Sequence, residues 1–188
     1  MIRTSLLPLM LAGCISPALA QQAAPPPSAQ AGQTPQDPYQ AQVIDNAGKI
    51  IGRVTLRGGE SSLVMRIELQ PGALTPGWHG VHFHSVADCS DMAKFQNSKG
   101  HVNHDDSKHG LLNPEGPDEG DLPNIFAASD GSVNAEVSTL LIGLRARDQE
   151  PGLLDADGSA LVIHANEDDH MSQPIGGAGD RVACAVIK

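Results

Sequence analysis

The pattern of apolar and polar positions changes character along this 188-residue chain. The opening MIRTSLLPLMLAGCISPALA carries one cation, Arg3, ahead of an apolar run too short to span a bilayer and a small-residue end at Ala18 and Ala20. That pattern predicts an export signal over residues 1–20. Residues 21–39, QQAAPPPSAQAGQTPQDPY, show neither helical nor strand periodicity, and their Pro, Gln and Ala content predicts a disordered linker. From about Ala41 apolar and β-branched residues alternate with polar ones, the period of half-buried strands. KIIGRVTLR and SLVMRIELQ flank a GGES turn and predict an antiparallel hairpin whose polar members face water. Further strands are expected at VHFHSV, at SVNAEVSTL after the SDG turn, at ALVIHAN after DADG, and at RVACAVIK. Long irregular stretches, Asp88 to Asn124 and Asn166 to Asp180, separate them. The sum is one all-β sandwich or barrel over residues 40–188 with two long loops, and function concentrates on loops that a rigid sheet holds.

Composition narrows the function classes. Aromatic residues make up only 3% of the chain while Gly and Pro number 20 and 14, which suits a loop-rich β protein. The net charge of −10 and the absence of any Lys/Arg run exclude a nucleic-acid or anionic-membrane surface, because phosphate binding needs clustered cations. No later apolar segment is long enough for a transmembrane span. Within the leader, ALA before Gln21 suits ordinary signal cleavage, whereas LAGC ending at Cys14 resembles a lipoprotein box whose cysteine would carry a lipid anchor. In either case the protein is expected outside the cytoplasm, in the periplasm as a soluble form or on the envelope membrane through Cys14. Cys14 being cut away or lipidated, Cys89 and Cys184 remain as a pair in an oxidising compartment, where a disulfide is expected.

All eight histidines lie between His79 and His170. In a strand, residues two apart share a face, so His82 and His84 in VHFH present two imidazoles side by side while Val81 and Phe83 face the core. Alone, an HxH pair is equally the polar side of an amphipathic strand. His164, in a third strand of similar apolar character, favours metal binding, and His101 and His109 in GHVNHDDSKHG add loop donors. Nitrogen donors from separate elements suit Cu(II), and imidazole also holds Cu(I). His109, Asp118 and Asp121 offer the mixed nitrogen and oxygen donors that Zn²⁺ accepts, although acidic loop residues are more often merely solvated.

GWHGVHFH, ADCS, GHVN, KHG, GDLPN, LVIHANEDD and GGAGDRVACAVI together resemble the secreted bacterial copper/zinc superoxide dismutases, over roughly Ala41 to the C-terminus. The resemblance implies a Greek-key, immunoglobulin-like β-barrel or sandwich. It implies copper ligands His82, His84, His101 and His164, zinc ligands His101, His109 and Asp121, and Asp168 as the carboxylate orienting one histidine on each metal. Cys89 and Cys184 match the family disulfide, Arg181 the group that guides the superoxide anion, and His79 a structural histidine. Asp118 stands where the family pattern has the third zinc histidine, so its carboxylate is the fourth candidate zinc donor. His104 stands where family sequences have proline and is expected to be an exposed loop residue. The implied activity is dismutation of superoxide by alternating Cu(II) and Cu(I), with His101 moving a proton and Arg181 positioning the anion, in defence of the cell envelope. The rival reading is a noncatalytic exported copper-binding or buffering protein on the same fold, for which Arg181 and Asp168 would have no use. A zinc hydrolase lacks an evident nucleophile. No segment is marked as an interface, and a homodimer remains an open expectation.

Overall fold

The computed structural model describes Met1 and residues 38–147 and 151–188. The export signal, Cys14 and nearly all of the expected linker lie outside these residues. The described chain forms nine strands: β1 (Tyr39–Asp45), β2 (Ile50–Gly58), β3 (Leu63–Leu69), β4 (Gly77–His79), β5 (Val81–His84), β6 (Ile125–Ala127), β7 (Val133–Thr139), β8 (Ser159–His164) and β9 (Arg181–Ile187). One 3₁₀ turn, Gln96–Ser98, interrupts the first long loop. Seven strands make one antiparallel sheet in the order β5-β8-β9-β1-β2-β3-β7, and β4 and β6 pair separately. No α-helix occurs among the described residues, and no helix is long and apolar enough to cross a membrane.

The expected hairpin is β2–β3, in register from Gly52↔Leu69 to Gly58↔Leu63. Alternation sends Val54, Leu56, Met65 and Ile67 into the core, while Arg53 meets Glu68 at 2.7 Å on the exposed face. β8 differs, because all six of its residues are buried. Both of its faces are packed: Leu161 and Ile163 join the main core, and Ala160 and Val162 pack against Cys89, Phe95 and Cys184 on the other side. β1 begins at Tyr39, the last residue of the expected linker, and the Tyr39 hydroxyl donates to the Lys188 carbonyl at 2.9 Å. The short pair β4–β6 has no counterpart in the sequence reading, since three-residue strands are too short to show a period.

Cys89 and Cys184 form a disulfide across 95 residues of sequence. Both pack with Phe95, Ala160 and Val162 in a small cluster beside the main core. The bond ties the first long loop to β9, and closing so long a loop is worth about 4–5 kcal/mol in the chain-entropy picture. Replacing both cysteines by alanine should therefore lower the unfolding free energy of the metal-free protein by about 2–5 kcal/mol in urea titrations. An unchanged midpoint and slope would contradict this role.

Candidate metal centre

β5 lies at the end of the seven-stranded sheet, and its free edge is completed by loop backbone. The Phe83 N–H donates to the Gly120 carbonyl at 2.9 Å, and the Phe83 carbonyl accepts from the Val102 N–H at 2.8 Å. A Cβ at position 120 would fall 2.4 Å from the Phe83 oxygen, so only glycine permits this approach. The pairing sets His101 opposite His84 and Asp121 opposite His82. His82 and His84 are consequently 0% exposed: the polar side of this strand faces the loop, not water.

On the next strands, a register irregularity after Ile163 places His164 opposite Arg181. His82, His84 and His164 offer donor atoms within 4.8 Å of one another, and the His101 ring stands 4.1 Å from that of His82 and 5.2 Å from that of His84. Each of the four imidazoles has one nitrogen held by an oxygen. His82 Nε2 donates to Asp168 Oδ2 at 2.7 Å, His84 Nδ1 to the Lys99 carbonyl at 2.8 Å, His164 Nδ1 to the Gly179 carbonyl at 3.0 Å, and His101 Nδ1 to Asp118 Oδ2 at 2.9 Å. The other nitrogen of each, His82 Nδ1, His84 Nε2, His101 Nε2 and His164 Nε2, is buried with no protein partner. Buried polar atoms are almost always satisfied, so the converging unpartnered nitrogens of His82, His84 and His164, with that of His101 on the ring stacked beside His82, fit a metal ion; His170 Nδ1, also unpartnered, lies 3.5 Å from Asp168 Oδ2 instead.

Burial holds the rings of His82, His84 and His164 neutral. It pushes His82 down to about 3, with repulsion from His101 and His164 adding to it against the Asp168 hydrogen bond. His164 is lowered to about 4, again chiefly by burial, with His101 and Arg181 contributing, and burial likewise carries His84 well below the ordinary histidine range.

A second group, His101, His109, Asp118 and Asp121, also has donors within 4.8 Å of one another and is almost wholly buried. Its donor set of imidazole nitrogens and carboxylate oxygens suits zinc. His109 lies between carboxylates, with Nδ1 2.5 Å from Asp121 Oδ1 and Nε2 3.1 Å from Asp168 Oδ1. Burial alone would lower it, but the hydrogen bonds to Asp121 and Asp168 prevail and raise it to about 10. Asp168 thus joins both groups. Burial would raise its carboxyl, yet hydrogen bonds from His109, His82 and the His170 amide hold it far below the ordinary carboxylate range. Gly176 closes over it so tightly that any Cβ there would collide with Oδ1.

Arg181 is half-buried, its guanidinium donating to the Phe95 carbonyl at 2.7 Å and to Ser98 Oγ at 3.1 Å. His79 is buried and supplies no donor to either group, with Nδ1 at 2.7 Å from the His164 carbonyl and Nε2 at 2.8 Å from that of Thr75. His104 is exposed beside Glu119 and belongs to neither group. Two residues to which the sequence reading gave no role complete the site. Asn124 takes the Asp168 N–H on Oδ1 at 2.9 Å and donates from Nδ2 to the Asp168 carbonyl at 2.8 Å, and Ser98 holds Arg181. The GDLPN motif contains Asn124, which was its only signal; Ser98 had none.

Histidines must be neutral to bind a metal. With His109 at about 10 and His82 and His164 at about 3 and 4, zinc uptake at pH 7 should release about one proton and copper uptake at the three-histidine face almost none. Calorimetric titration of the metal-free protein in buffers of different ionisation enthalpy reads this difference. Equal buffer dependence for the two metals would contradict it.

A family model described as copper/zinc superoxide dismutase matches residues 50–187. The chain is 51% identical over 142 residues to a Cu-Zn superoxide dismutase of Caulobacter vibrioides, covering 75% of this chain and 80% of that one. It is 38% identical over 149 residues to a Cu-Zn superoxide dismutase of Aquifex aeolicus, with 79% and 85% covered. Among solved structures it resembles a SOD-like protein of Bacillus subtilis with a TM-score of 0.74 at 29% identity, over 79% of this chain and 97% of that one.

Proposed function

Because the chain belongs to the copper/zinc superoxide dismutase family, we propose that His82, His84, His101 and His164 hold its copper, and that His101, His109, Asp118 and Asp121 hold its zinc. The protein is an oxidoreductase that dismutates superoxide, converting two anions and two protons into oxygen and hydrogen peroxide, with copper and zinc as cofactors. The observation that carries the residue assignment is the set of four buried imidazole nitrogens left without a protein partner.

Copper at this position supplies one-electron exchange with superoxide, alternating between Cu(II) and Cu(I), a chemistry that no side chain provides. The chain supplies binding, orientation and protons. Arg181, opposite His164 and fixed by Phe95 and Ser98, carries a permanent positive charge that draws and positions the small anion against a net charge of −10. His101 has Nδ1 tied to Asp118 and Nε2 buried without a partner, so with the metals in place Nε2 would be the atom at which it holds and releases a proton. Asp168 fixes His82 and His109 through its two oxygens, which sets the rings and couples the two metal groups. A noncatalytic copper buffer is disfavoured, since storage requires neither a fixed guanidinium on the residue opposite His164 nor a carboxylate shared between two groups. We further read residues 1–20 as an export signal, residues 21–39 as a linker and residues 40–188 as the catalytic domain acting in the periplasm. Lipidation of Cys14, which would anchor the protein to the envelope membrane, and a homodimer are the alternatives to a soluble monomer. Intact mass of the exported protein and its sedimentation separate these cases.

The direct test is metal analysis of the purified protein combined with a superoxide-decay assay. Copper and zinc should each be present near one per chain, with rapid decay that a copper chelator abolishes. His164→Ala should lose the activity while keeping the disulfide and the β-sheet signature in circular dichroism; full activity with copper still bound would contradict the ligand assignment. Arg181→Gln keeps hydrogen-bond donors for Phe95 and Ser98 but removes the charge. It should retain copper and slow turnover by about 10-fold at low salt, at the low end of what electrostatic focusing generally contributes. An unchanged rate would reject the guiding role.

A further inference from the structure

We propose that Asp118 is a positioning residue for His101, holding the Nδ1–H so that Nε2 stays turned to the copper nitrogens even when no zinc is bound. This rests on the copper assignment above. Each of the four copper histidines has its second nitrogen held by an oxygen at 2.7–3.0 Å. For His84 and His164 that oxygen is a backbone carbonyl, and for His82 it is Asp168. For His101 it is the carboxylate of Asp118 alone.

No other acceptor is free to do this. Asp121 Oδ1 lies 3.6 Å from His101 Nδ1, beyond hydrogen-bond reach, and is taken by His109 Nδ1 at 2.5 Å. Asp121 Oδ2 accepts the Gly110 N–H at 2.7 Å and the Asp118 N–H at 3.1 Å. Asp118, by contrast, is 3% exposed, gives Oδ2 to His101 and has Oδ1 without a partner. Asp118 Oδ2 accepts in this hydrogen bond, so the hydrogen of the His101 ring sits on Nδ1 and Nε2 is left for copper. A neutral histidine at position 118 would lack the negative charge that strengthens this hydrogen bond. The same side chain therefore serves as a zinc donor when zinc is present and as the anchor of His101 when it is not. The copper group becomes self-sufficient.

The experiment loads the full chain with copper alone, zinc being excluded. It compares the native protein with Asp118→Asn and Asp118→Ala by copper(II) electron paramagnetic resonance and by competition against a chelator. Asparagine keeps an acceptor oxygen for His101 but is a poor zinc ligand, so it separates the two roles. Asp118→Asn should keep the native copper spectrum, with an affinity between those of the native protein and Asp118→Ala, because its amide oxygen accepts from His101 without the charge. Asp118→Ala should show an altered spectrum and an affinity lower by about 10-fold, the low end of the effect of removing a group that orients a metal ligand. Asp118→Ala indistinguishable from native, or Asp118→Asn behaving like Asp118→Ala, would overturn the inference while leaving the copper ligands in place. A native copper-only spectrum without coupling to imidazole nitrogens would instead overturn the ligand assignment, and the inference with it.

Discussion

Four imidazole nitrogens are buried side by side with nothing in the protein to satisfy them, and most of the structure around them exists to keep them there. Leaving a buried polar atom unpaired costs about 1–3 kcal/mol, so such a cluster persists only where rigid surroundings prevent its collapse or rearrangement. The rigidity comes from the sheet. Phe83 pins the first loop to the edge of β5 through both of its backbone groups, and β8 delivers His164 from a strand buried along its whole length. The other nitrogen of His82, His84, His101 and His164 is tied to an oxygen, which fixes ring rotation as well as position. A metal ion entering here would meet donors that need little reorganisation.

The two metal groups differ in their electrostatics. His82, His84 and His164 are neutral rings, kept so by burial. The second group concentrates carboxylates around His109, and their hydrogen bonds favour its protonated form. Asp168 stands between them with one oxygen on each, so a shift of the second loop that carries it would disturb both groups together. Asn124 prevents that shift by clamping the Asp168 backbone on both sides. The disulfide does the equivalent for the first loop, holding it to β9 near Arg181.

Much of this was legible in the sequence where a local period carried the information. The β2–β3 hairpin is announced by its alternation and its GGES turn, and the HxH pair by the period-two geometry of a strand. The order of motifs supplied the rest of the candidate donors, and the structure brings them together into adjoining groups. What the sequence could not show are contacts set by long-range approach. Gly120 matters because of the Phe83 carbonyl, Gly176 because of the Asp168 carboxylate, and Ser98 because of Arg181; none of these relations leaves a periodic trace. The burial of the His82 and His84 face was equally hidden, since a strand's polar side looks the same whether it faces water or a loop folded over it. Position 118 marks the limit of motif reading: the departure is visible, but the tie of its carboxylate to His101 appears only in three dimensions.

The central claim is that these four histidines converge on a single copper ion. Pulsed electron–nuclear spectroscopy of the copper(II) protein, prepared with ¹⁵N-labelled histidine, counts the nitrogens bound to the metal. Four histidine couplings that fall to three in His164→Ala are the predicted result. Two or fewer couplings in the native protein, or a count unaffected by that substitution, would contradict it.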